Sequence, residues 1–240
     1  MIVLIGVGHV FDIGGAVKSL VIDAKPGAVC LELDEGRLAG LLTKQHGEVT
    51  SRTYKSLGDF QSKMAESYGT TVGSEMLAAY EAAQLIGARI YCIDMNASEF
   101  FDRAFKSMSL REKVYLLINS FMARFTRKKK IEKELKQYEE NGAEYIEEFG
   151  RRFPSLKKVL IDDRNTHMAD RIRKIAEDSG NVAVIVGDGH VDGLKSLIDD
   201  LQVSIVRLKD LRDMQERGAT AGTSGSQSGN SQATFSFSYR

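Results

Sequence analysis

Short apolar runs punctuate the chain at Ile2–Val7, Ala28–Leu33, Arg89–Ile93 and Val182–Val186, with a fifth at Val203–Leu208. Each is partly β-branched and bounded by Gly, Pro, Asp or Asn, a pattern that favours buried strands over helices. Helical patterns lie between them, a short one at Ala16–Asp23 and a longer, Ala-rich one at Gly73–Ile86. Strands that alternate with helices predict βαβ units, hence an α/β fold with a mainly parallel sheet. The stretch 98–178 carries no strand-like run and reads as a helical insertion.

Within that insertion, Ser109 and Glu112 have the spacing of a capping box. Pro154-Ser155 opens a further helix, with Ser155 as its expected N-cap. The basic run Arg127–Lys130, followed by Glu132, Glu134, Glu139 and Glu140, reads as a solvated helix face. From Gly218 to Arg240 the chain is rich in Gly, Ser, Thr and Gln and carries one charge, so a disordered tail is expected after a domain spanning 1–217. Its alternating end, Phe235–Tyr239, has the pattern of a strand that could add to a sheet edge, although a floppy terminus is the simpler reading.

Composition narrows the function classes. The 33 Lys and Arg balance 33 Asp and Glu, so there is no basic excess to neutralise phosphates and no nucleic-acid partner is expected. No run of about 18 apolar residues predicts a membrane segment, and the first residues lack the features of a secretory signal. The two cysteines, Cys30 and Cys92, each sit inside a strand-like run. They read as buried reduced thiols of a cytoplasmic protein rather than a disulfide framework.

An internal repeat points to the chemistry. Leu4–Val10 and Ile185–Val191 are both an apolar strand running into Gly-x-Gly-His-Val. Each is followed by Lys-Ser-Leu in a helical pattern (Lys18–Leu20, Lys195–Leu197) and by an apolar strand ending in Asp, at Asp34 and Asp210. A unit of strand, turn, helix and strand therefore occurs twice, with the helical insertion between the copies. In an open parallel sheet the turns at the carboxyl ends of the strands form the ligand crevice. If the first strands of the two units are neighbours, His9 and His190 face the same crevice. Two converging imidazoles suit a metal, or a base paired with an acid.

Glu32 lies near the end of the second strand, on the same side as Asp34 by strand alternation. A carboxylate inside an apolar strand is costly unless paired or metal-bound. His9, His190 and Glu32 would make a three-ligand divalent site with open positions. The i, i+4 series Leu156, Leu160, Arg164, Met168, Ile172 places one guanidinium on an apolar helix face. Arg164 there either pairs with a buried carboxylate or reaches a reacting group. His46 reads as a surface residue, and His167 stands beside the Arg164 face. Glu75, opening the Gly73–Ile86 helix, complements the helix dipole or joins the site. A dinucleotide fingerprint at Gly6 and Gly8 fails, because Phe11 stands where the third glycine belongs and Asp12 blocks the later variant.

Together these pieces resemble the TraB/PrgY/GumN family, whose animal relatives are the Tiki proteins. The likeness rests on Gly6–His9 and Gly187–His190, on Val29–Asp34 with Arg37, on Gly73–Ala79 with Gly87–Asp94, and on Leu156–Asn165 with Met168. The resemblance implies a duplicated α/β fold with a helical middle and a divalent-metal-dependent hydrolase, peptidase-like, using Mn²⁺, Co²⁺ or Zn²⁺. It assigns His9, His190 and Glu32 to the metal. Glu32, Arg164 and Asn165 go to catalysis, with Asn165 orienting Arg164 or touching substrate; Glu75, Asp34 and Arg37 go to substrate binding. The expected partner is a peptide or small-molecule substrate, in a chain that could also form a homo-oligomer. The alternative is a binding protein that sequesters a peptide or small ligand without turnover, as PrgY-like members do with pheromones; a haem or metal carrier is a weaker third. Two departures stand out: Asp94-Met95-Asn96 replaces a common Asp-Arg-Asp, and a polar tail stands where long prokaryotic members have membrane segments.

Overall fold

The computed structural model describes residues 1–8, 11–43, 73–115 and 142–223. Among these, five strands form one all-parallel sheet: β1 (Ile2–Val7), β2 (Ala28–Leu31), β3 (Arg89–Cys92), β4 (Val182–Gly187) and β5 (Val203–Val206), in the order β3-β2-β4-β1-β5. The α/β architecture expected from the alternating pattern is therefore present, and the expected strands fall on their apolar runs. β2 and β5 each stop two residues early. Glu32 keeps one ladder bond, from its N–H to Ile185 O, but Leu33 N then turns back to Leu31 O. Past that point the side chain of Glu32 binds the last N–H of β4, at Gly187, and Asp34 binds the N–H groups of Arg37 and Ala97. Asp210 likewise lies outside β5, inside the first turn of the following helix.

The helices are α1 (Gly14–Ala24), α2 (Glu35–Thr43), α3 (Ser74–Ile86), α4 (Ala97–Ser107), α5 (Gly142–Arg152), α6 (Pro154–Lys157), α7 (Asp163–Ser179), α8 (Val191–Leu197) and α9 (Leu208–Thr223). One face of the sheet packs Ile5, Val29 and Leu31 against Val17 and Leu20 of α1 and Met76 and Ala79 of α3. The other packs Leu4, Cys30 and Val184 against Met168 and Ile172 of α7 and Leu194 of α8. Cover on both faces explains why the strands read as unbroken apolar runs. Both cysteines are buried free thiols, and burial pushes each up to about 12. No helix among the described residues is long and apolar enough to cross a membrane.

The two repeat units interlock. β1 reaches β2 by crossing over β4, and β4 reaches β5 by crossing over β1. Their helices, α1 and α8, lie on opposite faces, as right-handed crossovers running in opposite directions require. A pseudo-two-fold axis parallel to the strands, between β1 and β4, relates one unit to the other. The sheet's topological switch point is thus the gap between β1 and β4, where ligands of such sheets bind. β1, which leads into the first Gly-x-Gly-His motif, and β4, which leads into the second, both end at that point.

The helical middle contains a cap that serves both α6 and the helical stretch 110–115. Glu112 Oε2 accepts Ser109 N–H at 2.7 Å and the Ser109 hydroxyl at 2.8 Å, while Ser109 Oγ accepts Glu112 N–H at 3.3 Å, completing the expected capping box. The other oxygen, Oε1, accepts Ser155 N–H at 2.8 Å. Ser155 is therefore not the N-cap of α6; Phe153 holds that position and gives no side-chain cap, so the cap comes from Glu112 instead. Burial works against the charge of Glu112, but these bonds outweigh it and hold the carboxyl below its ordinary range. A depressed folded value stabilises above the unfolded value and is lost as pH falls through the folded one. Urea unfolding of Glu112→Gln will show a deficit of about 1–3 kcal/mol at neutral pH that narrows toward wild type as the solution is acidified.

At the other end, α9 continues to Thr223, six residues past the boundary drawn at Gly218. Extending an existing helix adds a hydrogen bond per residue, and Ala219 and Ala221 favour it. Phe235–Tyr239, the basic run Arg127–Lys130 and His46 lie outside the described residues.

Candidate active site

At the carboxyl end of β2, Glu32 is buried and turned toward β4. Its Oε2 accepts Gly187 N–H at 2.5 Å, and its Oε1 lies 3.3 Å from His190 Nε2. His190 ends a 3-10 turn, Asp188–His190, that follows β4 directly. Its Nδ1 is 2.7 Å from Asn165 Oδ1. Three sequence-predicted residues from β2, α7 and the β4 turn therefore meet, and the fourth, Arg164, joins them.

Arg164 uses all five of its donors. Nε and Nη2 reach Asp94 Oδ1 and Oδ2 at 2.9 and 2.7 Å, and Nη2 also pairs with Glu32 Oε1. Nη1 reaches Leu160 O at 3.0 Å and His190 Nε2 at 3.1 Å. The Phe100 ring covers the guanidinium carbon at 4.7 Å, a cation–π contact strengthened by exclusion of water. Burial disfavours the charge, but the fields of Glu32 and Asp94 overcome it and raise the guanidinium above its ordinary value. Of the two readings of Arg164, the contacts describe the carboxylate partner, paired with both Asp94 and Glu32. A π-helical turn, Lys158–Asp162, precedes α7. It breaks the expected i, i+4 ladder: Leu156 and Leu160 pack with Phe100 and Val159, while Met168 and Ile172 pack under the sheet. Such turns recur at functional sites.

Asp94 had no assigned role, and it is the anchor of the arrangement. Its side chain accepts both Arg164 bonds, Arg37 Nη2 at 2.5 Å and its neighbour's N–H at Met95. It stands just past an apolar strand, as Glu32 does, so the same reasoning applied to β3 would have found it. Arg37, held above its ordinary value by Asp94 and Asp34 despite burial, also binds Asp34 through Nε at 2.8 Å. Burial opposes ionisation of Asp34, but bonds from Arg37 and Ala97 N–H hold it below its ordinary value. In this structure Asp34 and Arg37 brace Asp94 and the start of α4. Asn165 meets His190, and Arg164 is oriented by Asp94 instead. Glu75 is fully buried in the first turn of α3. His167 is half-buried, its imidazole held below its ordinary value by burial and by Arg171.

His9 lies outside the described residues, but its approach does not. Val7 pairs with Gly187, so the first turn starts one strand away from the second. A side chain at Gly8 would strike Phe11 and Leu208, and one at Gly6 would strike Asp188 Oδ1. Asp188 fills that space to accept Leu208 N–H at 3.0 Å and Arg207 Nη2 at 2.8 Å. The residue between the two glycines of the second turn therefore fastens the root of α9 over the first. Among the described residues, no group of three His, Cys, Asp or Glu side chains is placed to hold a metal ion.

The model of the TraB/PrgY/gumN family matches residues 1–204, both histidine turns included. The chain belongs to this family. It is similar to an uncharacterized protein of Methanocaldococcus jannaschii, 27% identical over 217 residues, which are 84% of this chain and 54% of that protein. The chain thus spans about half the length of the curated relative it matches. The Met95-Asn96 departure from the TraB-like pattern has a local account: Asn96 Oδ1 caps α4 by accepting Glu99 N–H, and Met95 packs beside Phe100 with its sulfur 3.5 Å from Arg103 Nη2.

Proposed function

We propose that this TraB-family chain is a metal-dependent hydrolase acting on a peptide or a related amide or ester. The observation that carries this reading is the convergence of Glu32 Oε1 and His190 Nε2, 3.3 Å apart, on one cationic group, the Arg164 guanidinium. Nitrogen and oxygen ligands about 2.0–2.2 Å from a divalent ion stand roughly 3 Å apart, so this pair has the spacing and donor chemistry of two such ligands. His9, assigned from the sequence, would be the third. These residues fit Mn²⁺, Co²⁺ or Zn²⁺ on condition that Arg164 Nη1 releases His190 Nε2.

A bound ion would supply Lewis acidity and a water acidic enough to attack at neutral pH. The chain's own contribution is placement. Asp94 fixes Nε and Nη2 of Arg164, which leaves Nη1, on the His190 side, to donate to the oxygen that gains charge during attack on a carbonyl. Asn165 holds the far nitrogen of His190, and Gly187 N–H holds the second oxygen of Glu32. Phe100 and the apolar face of α7 keep the guanidinium out of water, where its bonds count for more.

The test is cleavage of peptide and ester libraries by chelator-treated protein reloaded with each metal. Turnover will appear with at least one metal, and His9→Ala and His190→Ala will each abolish it. Cleavage that survives both substitutions refutes the proposal. Elemental analysis of protein purified without chelator adds a readout free of activity, with bound metal lost in His190→Ala.

A second reading, a sequestering protein without turnover, is favoured by one observation. Both oxygens of Glu32 and both ring nitrogens of His190 already have protein partners. A network closed in this way is a rigid wall for a ligand. Calorimetry with candidate peptides, followed by mass spectrometry of the recovered ligand, separates the two: binding with no mass change under every metal supports sequestration.

A further inference from the structure

Gly193 lies in α8, three residues after His190. A Cβ at this position would overlap Asn165 Nδ2 and stand 3.2 Å from Asn165 Cγ. The Asn165 amide therefore fills the space that any other residue's side chain would take. From there its Oδ1 faces His190 Nδ1 at 2.7 Å. A carbonyl oxygen only accepts, so Nδ1 carries the proton. On the opposite side of the ring, Arg164 Nη1 faces Nε2 at 3.1 Å. A guanidinium only donates, so Nε2 carries a lone pair. Turning the Asn165 amide over would place donors against both ring nitrogens, which a neutral imidazole cannot accommodate. Asn165 Oδ1 and Arg164 Nη1, the two nearer contacts, agree on a single tautomer, against the pull of Glu32 Oε1, an acceptor 3.3 Å from Nε2.

We propose that Gly193 is a positioning residue for His190. Its missing side chain admits Asn165, which locks the imidazole as the Nδ1–H tautomer and keeps the Nε2 lone pair on the side of Glu32 and Arg164. The first repeat lacks this opening, because the position three residues after His9 is Asp12. The device belongs to the second turn alone, so the paired histidines are not equivalent despite their matching motifs. The proposal rests on the reading of His190 Nε2 as the working atom of the site.

The decisive variant is Gly193→Ala. The new methyl meets the far end of a flexible side chain rather than backbone, so the amide swings away and the helix stays. Alanine also favours a helix over glycine. A purely structural role for Gly193 would leave the His190 proton where it is. The expected result for the full chain, chelator-treated and without substrate, is a cooperatively folded protein that melts somewhat below wild type, because the buried Asn165–His190 hydrogen bond is lost. Nitrogen-15 NMR of the imidazoles will show His190 passing from one Nδ1–H form to a mixture with a large Nε2–H share. Asn165→Ala will give the same mixture, and the double variant will go no further, as expected of two residues acting through one contact. An unchanged tautomer in either single variant overturns the proposal, as does a double variant whose shift is the sum of the two. If Gly193→Ala fails to fold, Asn165→Ala decides alone: retention of the Nδ1–H form overturns it. Because the measurement needs neither metal nor turnover, failure of the hydrolase reading leaves this result standing.

Discussion

Arg164→Met will melt about 6–20 °C below wild type. Methionine keeps much of the stem and removes every donor: Glu32 Oε1, Leu160 O and His190 Nε2 each lose a bond, and Asp94 is left with Arg37 and the Met95 N–H alone. Removing one partner of a buried ion pair costs about 3–5 kcal/mol, chiefly because the surviving charge stays buried without compensation. For a domain of about 150–250 residues each kcal/mol is worth about 2–4 °C. Arg164→Lys will recover little, because a single ammonium cannot span Asp94 bidentately and still reach Glu32 and His190. Thermal unfolding followed by circular dichroism measures both variants. A melting temperature for Arg164→Met within about 2 °C of wild type would contradict the claim that the guanidinium neutralises these carboxylates.

Glu32→Gln carries the largest expected effect on function. Both carboxylate oxygens accept hydrogen bonds, one from Arg164 and one from Gly187 N–H. An amide offers one acceptor, and its NH₂ must then face a donor. The variant will fold with a loss of about 1–3 kcal/mol. Under the proposed function it also removes a metal ligand and a proton acceptor, so turnover will fall by about 10²–10⁴-fold. Asp34→Asn, farther along the same network, will leave turnover within about tenfold, because its oxygens serve Arg37 and Ala97 and not the His190 side. Parallel rate measurements on the two variants decide the matter: equal losses would mean that the network acts only as scaffold.

Much of this was readable before any coordinates. Strands buried on both faces leave an unmistakable apolar run, and Ile2–Val7 matches to the residue. The two Gly-x-Gly-His motifs stand out because the sequence carries them twice, and the described one places His190 beside Glu32 and Arg164. Glu32 and Arg164 were legible because a charge inside an apolar pattern must have a partner. What the pattern could not supply was the identity of that partner. Asp94 joins Arg164 across 70 positions of chain, and Glu112 caps Ser155 across 43; nothing local to either pair signals the match. For the same reason Ser155 looked like a cap, since a Ser beside a Pro is locally plausible whether or not its hydroxyl is used.

The interlocked repeat has a consequence for how the protein is made. Both neighbours of β1, namely β4 and β5, come from residues 182 onward. As the polypeptide leaves the ribosome, Ile2–Val7 emerges well before β4 and β5, so it must wait for both of its mates. Until then it is a sticky apolar segment with both backbone edges open, the sort of nascent chain that holding chaperones shelter. Neither half can close its own sheet, so fragments cut anywhere between the two units should collapse or aggregate until their complement arrives.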